Sequence, residues 1–426
     1  MPILLAAAPA ERPAILAIFA ATYIGLAMGH VPGLKLNRAG IALLGAIAMM
    51  IFGGISTADA VASINWPTIC LLFGFFVISA QLRLSGFYDR VAGSISARLG
   101  HPARFLLVLM TVTAGLSAVL NHDIVCYVFT PVVGAALLHR QINPVPFLIA
   151  LAIASNLGAA ATLIGNGQNM MIGEVAHLTF GRYLLWSAVP VLAAMAAGYG
   201  IIWFLSARNL QCPAELAGVG GEGPPGPSAA ATPFNRPHTL KGLIILVVVI
   251  ALFFSPVPKE VVALAAAAIH LASPKFRSED LLGLVEWPIL ILFMGLFVVA
   301  GAFQSTGCGT QAVEWLAHSG FNLQAPQNLV LATAALSNLI NNSAAVMLLL
   351  KVVPPSTAVT GYVLALANSF GGSLIIIGSV SNIIVVQQAR DMGINISFRD
   401  FARLGIPVTL AALAGLLVWV KLAGTG

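Results

Sequence analysis

A carboxylate and an imidazole stand in the middle of an apolar stretch of this sequence. The segment GLSAVLNHDIVCYVFTP runs from Gly115 to Pro131 and carries Asn121, His122 and Asp123 at its centre. An ionised residue at the middle of a membrane helix costs roughly 2.5–3.5 kcal/mol and usually has a function. Asp123 could bind a proton on one side of a membrane and release it on the other, and a His imidazole changes charge near neutral pH. Both are candidates for proton coupling. The alternatives are a carboxylate that caps a half-helix and an imidazole on a cavity wall.

Three further apolar segments carry amides or glycines at mid-length. They are TLIGNGQN (162–169), LSNLINNS (336–343) and IIIGSVSN (375–382). Glycine lets a helix unwind, and unwound backbone in a membrane is tolerated where protein or a water-filled cavity satisfies its polar groups. Because an Asn side chain both donates and accepts hydrogen bonds, the Asn residues at these interruptions are candidates for binding a polar solute. Taken singly, each could instead be a helix cap.

The composition places these segments in a membrane. Of the 426 residues, 59% are hydrophobic and 8% are charged, whereas soluble domains carry about 25% charged residues. Apolar runs approach the length of about 20 residues that crosses a bilayer. The sequence therefore predicts an all-α polytopic protein surrounded by lipid. The strands of a membrane β-barrel would show period-two alternation instead.

Several classes of function are excluded by what the sequence lacks. The net charge of +6 is modest and gives no reason to expect a nucleic-acid partner. The four cysteines, Cys70, Cys126, Cys212 and Cys308, show no CxxC spacing, so we expect neither a metal site nor a cofactor. HExxH is absent, and Asp123 is the one acid well inside an apolar segment, which argues against membrane proteases and against an enzyme.

Ten membrane spans are predicted, with a linker between two halves. The spans are 14–31, 39–55, 66–82, 147–173, 183–206, 241–255, 259–273, 287–304, 361–388 and 404–421. Two further apolar segments, 105–138 and 328–351, are predicted to be re-entrant hairpins, and the interrupted spans 147–173 and 361–388 to be broken helices. Residues 207–240 include GVGGEGPPGPSAAATP, which cannot build a packed core and predicts a flexible linker.

The two halves, residues 1–206 and 241–426, repeat each other. WPTICLLFGFFVISAQLRLSG (66–86) aligns with WPILILFMGLFVVAGAFQSTG (287–307), LSAVLNHD (116–123) with LSNLINNS (336–343), and LAIASNLGAAATLIGNGQN (151–169) with LALANSFGGSLIIIGSVSN (364–382). Five spans in each half turn the second repeat upside down. Inverted repeats with interrupted helices at matching positions are typical of secondary transporters, whose binding site lies near the membrane midplane.

The basic residues predict the orientation of the chain. With five spans per half, five of the 20 Lys and Arg residues fall on one side of the membrane, namely Arg12, Arg182, Lys259, Lys351 and Lys421, and the other 15 fall on the opposite side. Lys and Arg are enriched in cytoplasmic loops. We therefore expect a multi-pass protein of the inner (plasma) membrane, with the linker 207–240 in the cytoplasm and both termini outside.

The paired hairpin tips and the paired IGxxxN breaks resemble the ion transporter superfamily. This superfamily includes arsenite efflux permeases, NhaD-type sodium/proton antiporters, and sodium-coupled dicarboxylate and citrate carriers. Arsenite permeases carry an Asn-Asp pair at the first tip and Asn-Asn at the second. Here Asn121 and Asp123 flank His122, and Asn341 precedes Asn342. The sodium-coupled dicarboxylate carriers have Ser-Asn-Thr at both tips, which this chain lacks.

The resemblance implies a site as well as a fold. The family's site falls on Asn121, Asp123, Gly165, Asn169, Asn341, Asn342, Gly378 and Asn382. We expect Asp123, with His122, to carry the coupling proton and the other residues to bind the substrate. The resemblance to arsenite permeases also implies a cytoplasmic ATPase as an optional partner.

The charges around the interruptions bear on the substrate. No Lys or Arg lies at the centre of an interruption, and Lys351, at a hairpin end, is the nearest. A dianion would need sodium ions or helix dipoles to offset its charge and would also face Asp123. A neutral polyhydroxyl solute such as arsenous acid would not. The leading hypothesis is proton-coupled efflux of arsenite or antimonite. The alternatives are a sodium/proton antiporter and a small-anion carrier for citrate or dicarboxylates.

Overall fold

The computed structural model describes residues 11–28, 35–96, 101–207, 233–273, 275–340, 342–355 and 357–423. These residues are almost entirely α-helical, which confirms the predicted all-α class. Backbone N–H and C=O groups that face lipid must be paired within the protein, and an α-helix pairs them inside a single segment. The apolar sequence thus requires the helical structure that is observed.

Each half of the described chain contains ten α-helices. Those of the first half are α1 (Arg12–Met28), α2 (Arg38–Phe52), α3 (Thr57–Ser63), α4 (Trp66–Leu84), α5 (Phe87–Ser96), α6 (Pro102–Val119), α7 (His122–His139), α8 (Val145–Ala159), α9 (Gly167–Val175) and α10 (Phe180–Ser206). Those of the second half are α11 (Arg236–Leu252), α12 (Lys259–Leu271), α13 (Ser278–Gly283), α14 (Trp287–Ser305), α15 (Cys308–His318), α16 (Pro326–Ile340), α17 (Asn342–Val352), α18 (Ala358–Gly371), α19 (Val380–Asp391) and α20 (Phe398–Ala423), with a 3-10 turn at Ile376–Gly378. Long and short helices follow in the same order, so the repeat extends through both halves.

Six of the described helices are long and apolar enough to cross a membrane, namely α4, α6, α7, α10, α14 and α20. Shorter apolar helices accompany them, namely α1, α2, α8, α17 and α18. The chain is therefore a polytopic membrane protein. Eight of the ten predicted spans overlap these helices, and the spans predicted at 241–255 and 259–273 correspond to α11 and α12, which are in neither group. The helices α6 and α7 make up the segment predicted as a re-entrant hairpin, although each is long enough to cross a membrane.

The predicted interruptions are breaks between helices. In the first hairpin, α6 and α7 meet at Leu120 and Asn121. In the second, α16 ends at Ile340 and α17 begins at Asn342, while Asn341 lies outside the described residues. The span predicted at 147–173 is divided into α8 and α9, and the span at 361–388 into α18 and α19.

The two halves pack against each other through two equivalent helix pairs, each made of one helix from each half. α2 packs against α14 of the other half, and α12 packs in the same way against α4. A Cβ atom on Gly74 would lie 2.7 Å from the backbone of Ala263, and one on Gly295 would lie 2.7 Å from that of Ala42. Glycine at these two positions permits the close helix approach that small residues provide in membrane proteins.

The bundle has a buried centre and an apolar outer surface. Every residue of α8 from Pro146 to Ala159 is buried, as is every residue of α18 from Val359 to Gly371. The peripheral helices α10 and α20 instead expose large apolar side chains, for example Phe204, which is 82% exposed. An apolar surface of this kind is suited to lipid rather than to water.

The second half begins earlier than the sequence suggested. The linker was predicted to run to residue 240, but α11 begins at Arg236. The side chain of Asn235 accepts a hydrogen bond from the backbone N–H of His238, and Pro237 lies in the first turn. An Asn cap followed by proline is a helix start signal, and it overrides the polar composition of this segment. Residues 208–232 of the predicted linker lie outside the described residues.

Candidate functional site

A small cavity lies where the two hairpins and the two broken helices meet. One wall is apolar and consists of Phe76 from α4 together with Ile289, Leu292 and Phe293 from α14. The space in the cavity is about 40 Å³, which is room for roughly three water molecules. The cavity therefore fits a solute with few heavy atoms.

Four helices begin at this cavity. The lining residues at their N-terminal ends are Asn121, His122 and Asp123 for α7, Gly167 and Gln168 for α9, Asn342 and Ser343 for α17, and Ser379 and Val380 for α19. The N-terminal end of a helix presents backbone N–H groups without intrahelical partners and a partial positive charge. Four such ends around one cavity favour oxygen atoms and negative charge.

The tip of the first hairpin carries the ionisable groups of the cavity. The side chain of Asn121 caps α7 by accepting a hydrogen bond of 2.8 Å from the backbone N–H of Asp123. His122 Nε2 lies 3.5 Å from Asp123 Oδ1, and both residues are buried, at 6% and 7% exposure. The capping bond explains why Asn121 precedes the helix, because it satisfies one of the N–H groups that begin α7.

Several polar atoms of the cavity residues have no hydrogen-bond partner in the part of the chain that the structure describes. They are His122 Nδ1, Asp123 Oδ1 and Asn342 Oδ1. A buried polar atom without a hydrogen bond costs free energy. These atoms have almost no accessible surface in this conformation, so a solute could bond to them and recover that free energy only after the tips rearrange.

Three polar residues of the cavity, Gln168, Ser343 and Ser379, were missed by the sequence analysis. Gln168 Nε2 donates a hydrogen bond of 2.7 Å to Ser343 Oγ and so joins the two repeats across the cavity. Ser343 occupies the position in the second repeat that Asp123 occupies in the first. That equivalence was the available signal for Ser343. Gln168 had a weaker signal, since it only follows a glycine in an interruption.

Asn169 and Asn382 bind the unwound backbone at the two helix breaks. Asn169 Nδ2 donates to the carbonyl oxygens of Ala159 and Thr162, at 3.1 and 3.0 Å. Asn382 Nδ2 donates to those of Gly372 and Ile375, at 2.7 and 3.0 Å, which are the equivalent residues of the second repeat.

The oxygen atoms of the same two amides connect the repeats. Asn382 Oδ1 accepts a hydrogen bond of 2.8 Å from Asn156 Nδ2. Asn169 Oδ1 accepts a longer one, of 3.4 Å, from Ser369 Oγ, and Ser369 is the repeat equivalent of Asn156. Asn169 and Asn382 are fully buried. Their amides are thus occupied by the protein itself.

The glycines of the IGxxxN breaks allow the unwound chain to return close to the preceding helix. A Cβ on Gly165 would lie 2.3 Å from the carbonyl oxygen of Ala159. A Cβ on Gly378 would lie 3.0 Å from the carbonyl oxygen of Gly372, where α18 ends, and 2.5 Å from Asn338 Oδ1 of α16. A larger residue at either position would push the break apart.

The predicted site residues therefore occupy two kinds of place. Asn121, His122, Asp123 and Asn342 line the cavity. Gly165, Asn169, Gly378 and Asn382 form the breaks behind it. Asn341 lies outside the described residues.

The cavity lining contains no Lys or Arg among the residues that the structure describes. Lys351 lies in the last turn of α17, away from the tip of the hairpin. The ionised pair of Lys259 and Glu174, 3.5 Å apart, lies at the ends of α12 and α9 rather than at the cavity.

Comparison with known proteins agrees with this architecture. Residues 14–364 match the citrate transporter family, CitMHS. The chain is 31% identical over 427 residues to the uncharacterized transporter Rv2684 of Mycobacterium tuberculosis (strain ATCC 25618 / H37Rv), covering 95% of this chain and 97% of that protein. It is 27% identical over 460 residues to the silicon efflux transporter LSI3 of Oryza sativa subsp. japonica, covering 90% and 92%.

A solved structure shares the fold. The crystal structure of the Alcanivorax borkumensis YdaH transporter, which has an unusual topology, superposes with a TM-score of 0.54 at 16% identity, covering 97% of this chain and 98% of that one. Together with the inverted repeats and the central cavity, the family match shows that this chain is a secondary transporter that belongs to the citrate transporter family, CitMHS.

Proposed function

We propose that this transporter exports a small, neutral, hydroxylated solute in exchange for protons. The first candidates are arsenous and antimonous acid, and orthosilicic acid belongs to the same chemical class. The observation that carries the proposal is the lining of the cavity. The lining combines amide side chains, the hydroxyl groups of Ser343 and Ser379, and four helix N-terminal ends. It has a single carboxylate and no Lys or Arg among the described residues.

The charge of the cavity favours a neutral solute or a monoanion. Each helix N-terminal end contributes about +0.5 of an elementary charge, so four contribute roughly +2. Ionised Asp123 offsets half of this. A citrate ion would bring more negative charge than the helix ends balance while Asp123 is ionised, and the described lining has no Lys or Arg to offset the rest.

Size and relatives support the same class of solute. Arsenous and orthosilicic acid each consist of one central atom and three or four hydroxyl groups, so they are closer in size than citrate to this small cavity of about 40 Å³. Their hydroxyl groups can donate to the side-chain oxygens of the lining and accept from the backbone N–H groups at the helix ends. The rice relative is named a silicon efflux transporter.

Proton coupling follows from competition at the first tip. Asp123 without a proton accepts hydrogen bonds from a hydroxylated solute, whereas protonated Asp123 is neutral and leaves the tip free to rearrange. A proton and a substrate that share one binding group are coupled in free energy. Alternating exposure of the tip to the two sides would then convert a proton gradient into uphill export.

A flux screen in liposomes tests the proposal. The full-length protein would be reconstituted and offered arsenite, antimonite, silicic acid, phosphate, sulfate, citrate or sodium under an imposed pH gradient. We expect arsenite, antimonite or silicic acid to accumulate against its gradient, and a protonophore to abolish the accumulation. Driven accumulation also separates a transporter from a channel.

The second candidate is a small-anion carrier, which the family match favours. Four helix N-terminal ends would hold an anion when Asp123 is protonated. In the screen, accumulation of citrate without any of the neutral acids would replace the first proposal with this one. Accumulation of sodium alone would indicate a sodium/proton antiporter.

The orientation proposed from the basic residues has its own test. A variant that keeps Cys212, in the segment 207–240, and replaces the other three cysteines should react with a membrane-impermeant maleimide only from the cytoplasmic side. Labelling of intact cells from outside would contradict the orientation.

A further inference from the structure

We propose that Glu286 is a second proton-carrying carboxylate, which passes protons between Asp123 and one mouth of the cavity, and that Arg83 positions this path. The inference rests on the proposed proton coupling. It adds a residue that neither the repeat nor the family resemblance marks, and it gives the proton path a direction.

Glu286 lies at the start of α14, the helix that forms part of the apolar wall of the cavity, and its backbone carbonyl accepts a hydrogen bond of 3.0 Å from the N–H of the lining residue Ile289. It immediately precedes α14, and its side chain makes no capping hydrogen bond to that helix. Ile289 and Phe293 follow three and seven residues later, and both line the cavity. Residues at this spacing share one face of a helix. Glu286 therefore stands one turn outward from the cavity-lining face of α14.

Arg83 and Tyr127 extend the same mouth from two other helices. Arg83 follows the cavity residue Phe76 by seven positions on α4, and Tyr127 follows Asp123 by four positions on α7. The guanidinium carbon of Arg83 lies 4.7 Å from the centre of the Tyr127 ring. A row of polar groups thus leads outward from Asp123.

Electrostatics links the two carboxylates. Glu286 is partly buried, and the charged groups that act on it are Asp123 on α7 and Arg83 on α4. Burial and the neighbouring Asp123 carboxylate raise the pKa of Glu286, and the Arg83 guanidinium lowers it. When Asp123 loses its proton, its new charge makes Glu286 a better proton acceptor. Loss of the proton from Asp123 therefore favours proton binding by Glu286, as a proton relay between the two carboxylates requires.

The repeat-equivalent positions lack this row of ionisable groups. The repeat equivalents of Arg83, Tyr127 and Asp123 are Gln304, Met347 and Ser343, and the equivalent of Glu286 in the first repeat is Asn65. Because the repeats are inverted, the equivalent positions face the opposite mouth. The ionisable row leads to one mouth, and the distribution of basic residues makes that mouth cytoplasmic.

The proposed step is a simple proton transfer. The carboxyl group of Asp123 gives its proton to a carboxylate oxygen of Glu286, directly or through water, and becomes a carboxylate that can bind the solute. Glu286 then gives the proton to cytoplasmic water. No electron or other group is transferred.

Infrared titration of the full-length protein in lipid tests this without any substrate. In the wild type we expect an infrared band from a protonated carboxyl group that decreases as the pH rises. This band should be absent in Glu286→Gln and present in Glu279→Gln, which changes an exposed acid paired with Arg277. Asp123→Asn should move the band's midpoint to lower pH, and Arg83→Gln should move it to higher pH. An unchanged midpoint in Asp123→Asn, or a band that survives Glu286→Gln, would overturn the proposal.

Transport measurements separate this inference from the proposed function. Glu286→Gln should slow pH-driven flux by roughly 100-fold, as expected when a proton-transfer group is removed, while counterflow exchange stays close to wild type. Glu286→Asp should restore part of the rate. If the pH gradient does not change the wild-type flux, the proposed proton coupling is wrong. If the pH gradient changes the wild-type flux and Glu286→Gln transports at the wild-type rate, the proposed role of Glu286 is wrong and the proton coupling stands.

Discussion

The hairpin tips and the broken helices beside them are both duplicated by the inverted repeat, but they have diverged to different extents. At the breaks, Asn169 and Asn382 donate to equivalent pairs of carbonyl oxygens. At the tips, Ser343 and Asn342 of the second repeat occupy the positions that Asp123 and His122 occupy in the first, and all four line the cavity.

This difference separates architecture from chemistry. A broken helix has the same problem in either orientation, since its unwound carbonyl groups need donors wherever they lie in the membrane. A transport cycle driven by protons needs a titrating group at only one tip. The comparison predicts that changes at the breaks act alike in both repeats and that changes at the tips do not.

The largest expected effect is at the tips. Asp123→Asn keeps the shape of the side chain and removes its titration, so it should abolish uphill transport driven by a pH gradient and leave counterflow exchange. The matched variant Ser343→Ala should retain driven transport. Both are measured as solute accumulation in liposomes at a fixed pH difference. Driven accumulation by Asp123→Asn would show that another group, such as His122 or Glu174, carries the proton.

The breaks should respond symmetrically. Asn169→Ala and Asn382→Ala each leave two buried carbonyl groups without their donor, so each should lower the free energy of unfolding by roughly 2–4 kcal/mol. Asn328→Ala, which removes a hydrogen bond at an exposed position, serves as the control. Thermal unfolding in detergent gives the comparison. Unequal losses for the two break variants would show that one amide has acquired a role the other lacks.

A smaller effect is expected for the polar groups that contact the solute. Asn342→Ala should weaken binding by about 1–3 kcal/mol, because it removes a buried hydrogen-bonding group of the cavity. We expect Asn341→Ala to act in the same direction. Equilibrium binding of arsenite or silicic acid would measure the change, with unfolding temperature as the control for stability. Unaltered affinity in both variants would remove the second tip from the binding site.

The smallest effect concerns an ion pair that joins the two repeats and that the repeat does not duplicate. Lys259 and Glu174 connect α12 to α9, whereas the repeat equivalent of Glu174 is the neutral Gln387. Their side chains are 20% and 14% exposed, and pairs near the surface contribute about 0–1 kcal/mol. Lys259→Met should therefore change the unfolding temperature little and leave transport coupled. A large loss of transport would instead make this pair part of the conformational cycle.

The sequence predicted the helices and the interruptions well, because both depend on local composition. Apolar runs define most of the spans, and the repeat identified equivalent breaks without any coordinates. The start of α11 at Arg236 was placed late, because a capping Asn235 and the following proline are a weaker signal than the polar residues around them.

The roles of the amides could not be predicted in the same way. Asn121 and Asn169 look alike in sequence, since each interrupts an apolar segment. Asn169 turns toward the carbonyl groups of its own break, and Asn121 caps a helix at the cavity. That choice depends on which side of each helix faces the other repeat. Glu286 was overlooked for a related reason: it stands outside the apolar segment, and only the fold brings it near Asp123.

The packing of α2 on α14 and of α12 on α4, in which each half supplies the partner helix of the other, has an evolutionary consequence. A half-length ancestor would have carried both surfaces but could not have joined them within one molecule. Two copies inserted in opposite directions could have done so, each supplying the contact the other lacked. Such a gene product would have had to enter the membrane both ways round. Fusion of the two copies removed that requirement and left each half free to change its hairpin tip alone.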